Sequence, residues 1–261
     1  MTRGAWGLHE SRSERRNKMD QSAYVKMREV EDDHWWFHAR RDILRHVIRK
    51  RIFTSQPLRI LEIGCGTGGN LAMLGQFGSV VGLEMDATAA QKAAARGDAR
   101  IIRGQIPDTP PPGQFDLIAM LDVLEHIEND GVALQCIRHN ISKTGHLLIT
   151  VPAYNFLWTN HDVVMHHYRR YTMSLLRRRL EANGYTVSYI NYFNTVLLPL
   201  VATTRFLKRL LHKTSSDLTI PGPWMNTMLY RIFAFEKRLL PACPLPCGVS
   251  VIAIAAPAKS S

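Results

Sequence analysis

The sequence predicts an α/β fold: an open, mostly parallel sheet of seven strands with helices on both faces. Three observations predict it. The run Leu58-Arg59-Ile60-Leu61-Glu62-Ile63 is apolar and β-branched, as a buried strand is, and passes straight into Gly64, Gly66, Gly68 and Gly69. Asn70-Leu71-Ala72-Met73-Leu74 then starts a helix, completing the strand, glycine turn and helix of a nucleotide-binding crossover. Beyond it, short strand patterns alternate with helical ones to the end of the chain.

Taken in order, residues 1–19 are polar, basic and aperiodic and read as a disordered tail, with one domain over 20–261. From Asp20 the pattern is helical. Glu31-Asp32-Asp33 precedes Trp35-Trp36-Phe37, and Ile43, Leu44, Val47 and Ile48 recur at helical spacing. This stretch, about 20–53, is expected to staple to the sheet edge and to serve as a lid. After the glycine loop, residues 79–84 form the second strand and 87–96 an alanine-rich helix. Residues 99–103 are the third strand, and the prolines at 110–112 mark a loop. Residues 115–121 are the fourth strand, after which Glu125 and His126 are expected to open a helix. A helix over 130–140 leads to the fifth strand, 145–152.

Residues 153–171 are irregular and rich in aromatics and histidines. They follow the carboxyl end of a central strand, where open sheets bind ligands, and are the expected substrate lid. A helix over 175–183 stops at Gly184. Strands over 185–190 and 249–255 finish the sheet, with a helical insertion, about 194–247, between them. Its helices set apolar and aromatic residues beside Arg205, Lys208, Arg209, Lys213, Arg231, Lys237 and Arg238. That pattern fits an anionic membrane surface, with a packed hairpin or dimer face as the alternative.

Composition narrows the partners. The chain has 261 residues, a net charge of +11 and a pI of about 9.8, so an anionic partner is indicated: nucleic acid, membrane surface or acidic substrate. A generally basic proteome would give the same balance. Cys65, Cys136, Cys243 and Cys247 make no disulfide framework, and Cys243 and Cys247 have no second pair to complete a zinc site, so no metal centre is expected. No apolar run approaches the roughly 18 residues that span a bilayer. The expected location is cytoplasmic, soluble or peripheral on the inner face of the membrane.

The glycine loop alone fits two cofactor classes. Gly64, Gly66 and Gly69 satisfy the dinucleotide pattern G-x-G-x-x-G, while Glu62, Gly64, Gly66 and Gly68 spell E-x-G-x-G-x-G. The latter resembles the first motif of class I S-adenosylmethionine (SAM)-dependent methyltransferases. The run Phe115-Asp116-Leu117-Ile118, continuing to Asp122-Val123-Leu124-Glu125-His126-Ile127, resembles the fourth-strand motif of the methyltransferase type 11/12/23 groups, related to the ubiquinone-biosynthesis O-methyltransferases. Dehydrogenases carry no such segment there, so the resemblance selects SAM over nicotinamide.

The resemblance implies a Rossmann-like sheet whose last strand runs antiparallel. It implies that Glu62, Gly64, Cys65, Gly66 and Gly68 form the cofactor loop and that Met85 lies against the adenine. Gln105 stands where many relatives have an aspartate that accepts from the adenine amine, and an amide oxygen can accept too. Leu121 and Asp122 line the cleft. Arg40 or Arg41, with Arg41 the choice, faces the methionine carboxylate. Glu84, an acid at the end of the second strand, is placed to accept the ribose hydroxyls of either cofactor. His161-Asp162 and the run from His166 to Thr172 resemble a substrate-lid pattern of one subgroup, so Trp36, His166, His167, Tyr168 and Arg169 are the candidate acceptor contacts.

Methyl transfer to a hydroxyl needs a base near the attack, and histidine is the natural one at neutral pH. His161 and His126 are the candidates. The expected acceptor is a small molecule or lipid, through a hydroxyl. An RNA or protein methyltransferase is the alternative that the charge suggests, and a non-catalytic SAM-binding protein a third. Nucleic acid is disfavoured because no appended binding module is visible and no N-P-P-Y-type motif follows the fourth strand.

Overall fold

The computed structural model describes residues 29–210, 220–240 and 242–258, apart from the side chains of His161 and of 208–210. The expected tail over 1–19 lies outside the described residues, as does Lys213. Seven strands form one sheet: β1 (Leu58–Ile63), β2 (Gly78–Glu84), β3 (Arg100–Arg103), β4 (Phe115–Leu121), β5 (Ile141–Pro152), β6 (Tyr185–Phe193) and β7 (Ser250–Pro257). Their order is β3-β2-β1-β4-β5-β7-β6. All pairs from β3 to β5 are parallel, and β7 runs antiparallel between β5 and β6. The fold class read from the sequence is the one found.

The strands are apolar on both sides because both sides are covered. Alternate residues divide between two cores, as the two-residue period requires. Ile60, Leu117, Ala119, Leu148, Ile252 and Ile254 face one; Leu61, Ile118, Met120, Leu147, Ile149 and Val251 face the other. The first core is closed by α1 (Trp35–Arg51), whose Ile43, Leu44, Val47 and Ile48 are fully buried. Burying those four contributes on the order of 10 kcal/mol before chain entropy is subtracted. The His34 ring accepts from the Trp36 N–H to cap α1, and Arg49, Lys50 and Arg51 suit its carboxyl end. The second core is closed by α4 (Asp130–Arg138) and α6 (Met173–Ala182). Two further helices, α2 (Leu71–Gly75) and α3 (Ala87–Arg96), join β1 to β2 and β2 to β3.

Two local expectations change. Glu125 and His126 do not open a helix. They sit on a separate 3-10 turn, Leu124–His126, because Ile127 is extended and the Asn129 side chain caps α4 by accepting from the Val132 N–H. The 153–171 stretch is also not wholly irregular. It carries α5 (Asn160–Val164) and closes on itself through an Ala153–Tyr171 bridge.

The insertion contains α7 (Leu198–Leu210) and α8 (Pro223–Phe235). Helix α8 packs on α1. Asn226 Oδ1 accepts from the Trp35 N–H at 2.9 Å, and the Tyr230 hydroxyl donates to Asp42 at 2.7 Å. Lys237 pairs with Asp42, and the Arg238 guanidinium lies over the Phe235 ring. Glu236, fully buried, accepts from the Asn194 and Val196 N–H groups and so anchors the start of the insertion. Among the described residues, no helix is long and apolar enough to cross a membrane.

Candidate active site

A cavity of about 850 Å³ opens at the carboxyl ends of β1, β2 and β4. The strand order reverses there, between β1 and β4, which is where open sheets bind ligands. Gly64 and Gly66 turn the chain off β1 with φ of +66° and +56°. A side chain at Gly64 would strike Val123 at 2.7 Å, whereas nothing lies within 4 Å of a Cβ at Gly66. Gly66 lines the cavity, so its missing side chain leaves room for a ligand against the backbone.

Glu84 ends β2 at the cavity wall, with one oxygen accepting from the Gly66 N–H and the other from the Asp86 N–H, both at 2.8 Å. Each carboxylate oxygen can accept again, so Glu84 can still receive ligand hydroxyls. Burial raises its pKa against those hydrogen bonds. Met85, Gln105, Leu121 and Asp122 also line the cavity.

The next wall comes from α1. Arg40 reaches inward, 4% exposed, pairs with Asp122 at 2.7 Å and donates to Thr150 Oγ1 at 2.9 Å. The Thr150 hydroxyl in turn donates to Asp122 at 3.0 Å. Arg40 also lies over the Trp36 ring, one helical turn earlier. Arg41 points elsewhere. It donates to the backbone carbonyls of Glu31 and Gly69 and lies outside the cavity lining. The arginine that faces the cavity is therefore Arg40.

Glu62, Cys65 and Gly68 support the loop from behind, outside the lining. Glu62 accepts from the Asn70 side chain at 2.8 Å, while its second oxygen has no partner among the described residues, and burial pushes its pKa up to about 7. The Cys65 thiol is buried against Gly82, and burial raises its pKa far above the ordinary thiol value. The Gly68 position packs on Arg96 and Ala93.

The 153–171 stretch supplies the opposite side. Asp162, fully buried, accepts from His167 Nδ1 at 2.8 Å and from Arg170 Nε and Nη2 at 2.8 and 3.0 Å. Burial would raise the Asp162 pKa, but the hydrogen bonds from His167 and Arg170 hold it well below the carboxylate range. His166 and His167 line the cavity, as do His126 and Trp36. The His126 and His167 rings meet edge to face at 4.5 Å between centroids. Tyr168 and Arg169 lie outside the lining. Arg169 pairs with Asp130 at 2.9 Å and lies over the Tyr168 ring. His161 is on α5, and its side chain is outside the described residues.

Two features were not singled out from sequence. Glu31 accepts from the Thr67 hydroxyl at 2.7 Å and from Arg96 at 2.5 Å, so it ties the segment before α1 to the glycine loop. Glu125 is buried on the cavity wall, and neither of its oxygens has a hydrogen-bond partner among the described residues. Burial, with Asp122 nearby, raises its pKa well above the ordinary carboxyl value. The Trp36–Arg40 spacing carried a sequence signal for the buried arginine; burial of Glu125 carried none.

A family profile described as "Methyltransferase domain" matches residues 36–190, more than half of the chain. The chain belongs to this methyltransferase family. The matched span runs from within α1 into β6 and contains the glycine loop, Glu84 and Asp122. The methyltransferase also resembles solved structures. One is the plantazolicin methyltransferase BpumL in complex with SAH, with a TM-score of 0.60 and 14% identity over 92% of this chain and 91% of that one. Another is magnesium protoporphyrin IX methyltransferase (ChlM) from Synechocystis PCC 6803 with bound SAH, with a TM-score of 0.58 and 13% identity over 94% and 99%. A third is a chain of the Haloferax volcanii complex containing the Trm112 methyltransferase activator, with a TM-score of 0.61 and 14% identity over 93% and 98%. At such identities the likeness shows the shared fold. No curated protein sequence matches the chain.

Proposed function

We propose that this SAM-dependent methyltransferase transfers the methyl group to a hydroxyl of an apolar or amphipathic small molecule, lipids included, taken up at a membrane surface. The single observation that carries this reading is the form of the cavity. At about 850 Å³ it is near the upper end of ligand pockets, with room for a cofactor and an acceptor together. Its lining combines the Gly64 and Gly66 turn and Glu84 with the apolar side chains of Trp35, Trp36, Ile127, Met165, Val201 and Val249.

The polar part of that lining fits SAM. Gly66 leaves backbone open to it, Glu84 would take the ribose hydroxyls, Met85 and Gln105 would flank the adenine, and Arg40 would meet the methionine carboxylate. Asp122, Glu125 and Glu84 line the cavity and offer carboxyl oxygens to a cofactor whose sulfonium and ammonium are cationic. Bound SAM supplies a methyl group on a sulfonium, open to in-line attack.

The chain's own part is alignment, exclusion of water and removal of the acceptor proton. The aromatic wall of α1 and the insertion enclose the acceptor. Glu125, His126 and His167 stand together on the cavity wall and form the polar group open to the acceptor hydroxyl as the new oxygen–methyl bond forms and the sulfur–methyl bond breaks. The membrane component rests on the insertion and the lid. Trp224, Phe206 and Phe156 are 74, 64 and 62% exposed, and Met225, Leu200 and Val196 are exposed with them.

Transfer of a labelled methyl group tests the reading. The full chain is given labelled SAM with a lipid extract, a water-soluble metabolite extract, or RNA and protein. Label in organic-phase small molecules is expected. Label confined to RNA or protein overturns it.

A further inference from the structure

Glu125, His126 and His167 converge on one point of the cavity wall. Building on the methyltransferase reading, we propose that these three side chains bind one divalent transition-metal ion, of the manganese-to-zinc series, which holds the acceptor oxygen.

Geometry comes first. One ligand atom from each residue lies within 4.8 Å of the other two. Ligands on a single ion, at bonds of about 2.1 Å, stand roughly 3–3.5 Å apart. Small side-chain rotations close that difference. The backbone already holds the two halves in register, since the Tyr168 N–H donates to the Glu125 carbonyl at 2.8 Å. That bond ties the turn carrying Glu125 and His126 to the loop carrying His167.

The second observation is the carboxylate. Glu125 is 1% exposed, and both of its oxygens lack a hydrogen-bond partner among the described residues. A buried ionised carboxylate is costly unless a cation meets it. Arg40 and Arg170 are the nearby cations, and neither bonds it. Arg40 turns its Nη2 to Asp122 and Thr150. Arg170 gives its own to Asp162 and the Ala153 carbonyl. A metal ion between Glu125 and the two imidazoles supplies the missing partner.

The third observation is how His167 is held. Asp162, itself clamped by Arg170, accepts from Nδ1. The hydrogen is thereby placed on Nδ1 and the lone pair on Nε2, as in the carboxylate–histidine pairs behind metal sites. One carboxylate and two imidazoles suit a borderline transition ion and leave positions open for an acceptor. The cysteine-based sequence expectation of no metal centre overlooked this set, since none of the three is a cysteine.

The ion would act as a Lewis acid. It lowers the pKa of the bound hydroxyl, whose proton passes to solvent water. The resulting oxyanion forms the oxygen–methyl bond while the sulfur–methyl bond breaks, its electron pair staying on sulfur.

Untagged full-length protein, stripped with chelator and dialysed, is titrated with Mn²⁺ by electron paramagnetic resonance and with Zn²⁺ by calorimetry. Expected is one equivalent of at least one ion, with affinity at least tenfold weaker in His167→Ala, His126→Ala and Glu125→Gln. SAM binding and circular dichroism, measured on the same samples, show that each variant is folded. Failure of the wild type to bind either ion stoichiometrically up to millimolar concentration overturns the site. So does unchanged affinity in folded His167→Ala. Loss of SAM binding by the wild type would instead overturn the methyltransferase reading.

Discussion

Arg40 and Asp122 meet at 2.7 Å across the cavity wall, joining α1 to the residue that follows β4. Asp122 has a φ of +59°, a left-handed conformation that an aspartate tolerates better than most residues. The Thr150 hydroxyl on β5 donates to the same carboxylate, so three elements share one charge. Truncating Arg40 to leucine leaves that carboxylate without its cation. Arg40→Leu is expected to destabilise the fold by about 2–4 kcal/mol. Arg40→Leu with Asp122→Asn should recover part of the loss. Denaturant melts of both variants measure it, and equal stability of Arg40→Leu and wild type would show that the pair contributes nothing.

Gly66 tests the cofactor end. Its φ of +56° and the empty space beside it mean that a large side chain there projects into the cavity and not into the core. Gly66→Arg is expected to weaken SAM binding at least a hundredfold in calorimetry. The strain of a left-handed non-glycine residue should cost only about 1–2 kcal/mol in stability. Retained SAM affinity in this variant would remove Gly66 from the cofactor site.

Glu62 makes stability depend on pH. Its pKa is about 7 in the folded chain, against an ordinary 4.5, because it is buried. The folded state therefore holds the proton more tightly than the unfolded one. Its contribution is fully present below about pH 4.5 and is lost as pH rises through 7, a change of up to about 3 kcal/mol. Glu62→Gln stays neutral, so its stability should fall less than wild type between pH 5 and 7.5. Parallel pH profiles for the two proteins would contradict this.

The insertion tests the membrane reading. Trp224 and Phe206 are exposed on α8 and α7. Wild type is expected to sediment with anionic liposomes at low salt and to release at high salt. Trp224→Ser with Phe206→Ser should reduce the bound fraction severalfold while leaving SAM affinity unchanged. Glu at Lys208 and Arg209 should weaken it too, since each basic residue near anionic lipid is worth about 1 kcal/mol. Equal, negligible sedimentation with anionic and neutral liposomes would leave the insertion a packing element.

The sequence by itself determined the sheet and the glycine turn after β1, because both are written in local patterns. A buried strand is a short apolar run, and a turn that must admit a ligand is made of glycine, so Leu58–Ile63, Gly64, Gly66 and Glu84 could be read in line. Only the tertiary structure showed which of Arg40 and Arg41 faces the cavity. Adjacent residues on a helix point about 100° apart, and the phase of α1 is set by how Ile43, Leu44, Val47 and Ile48 settle on the sheet. Only the tertiary structure brought Glu125 and His126 to His167, and gave His167 its buried Asp162. Those meetings come from the 153–171 loop folding back over the end of β4, through the hydrogen bond from Tyr168 to Glu125. No local period encodes such a contact, because it joins residues far apart in the chain whose spacing repeats nowhere.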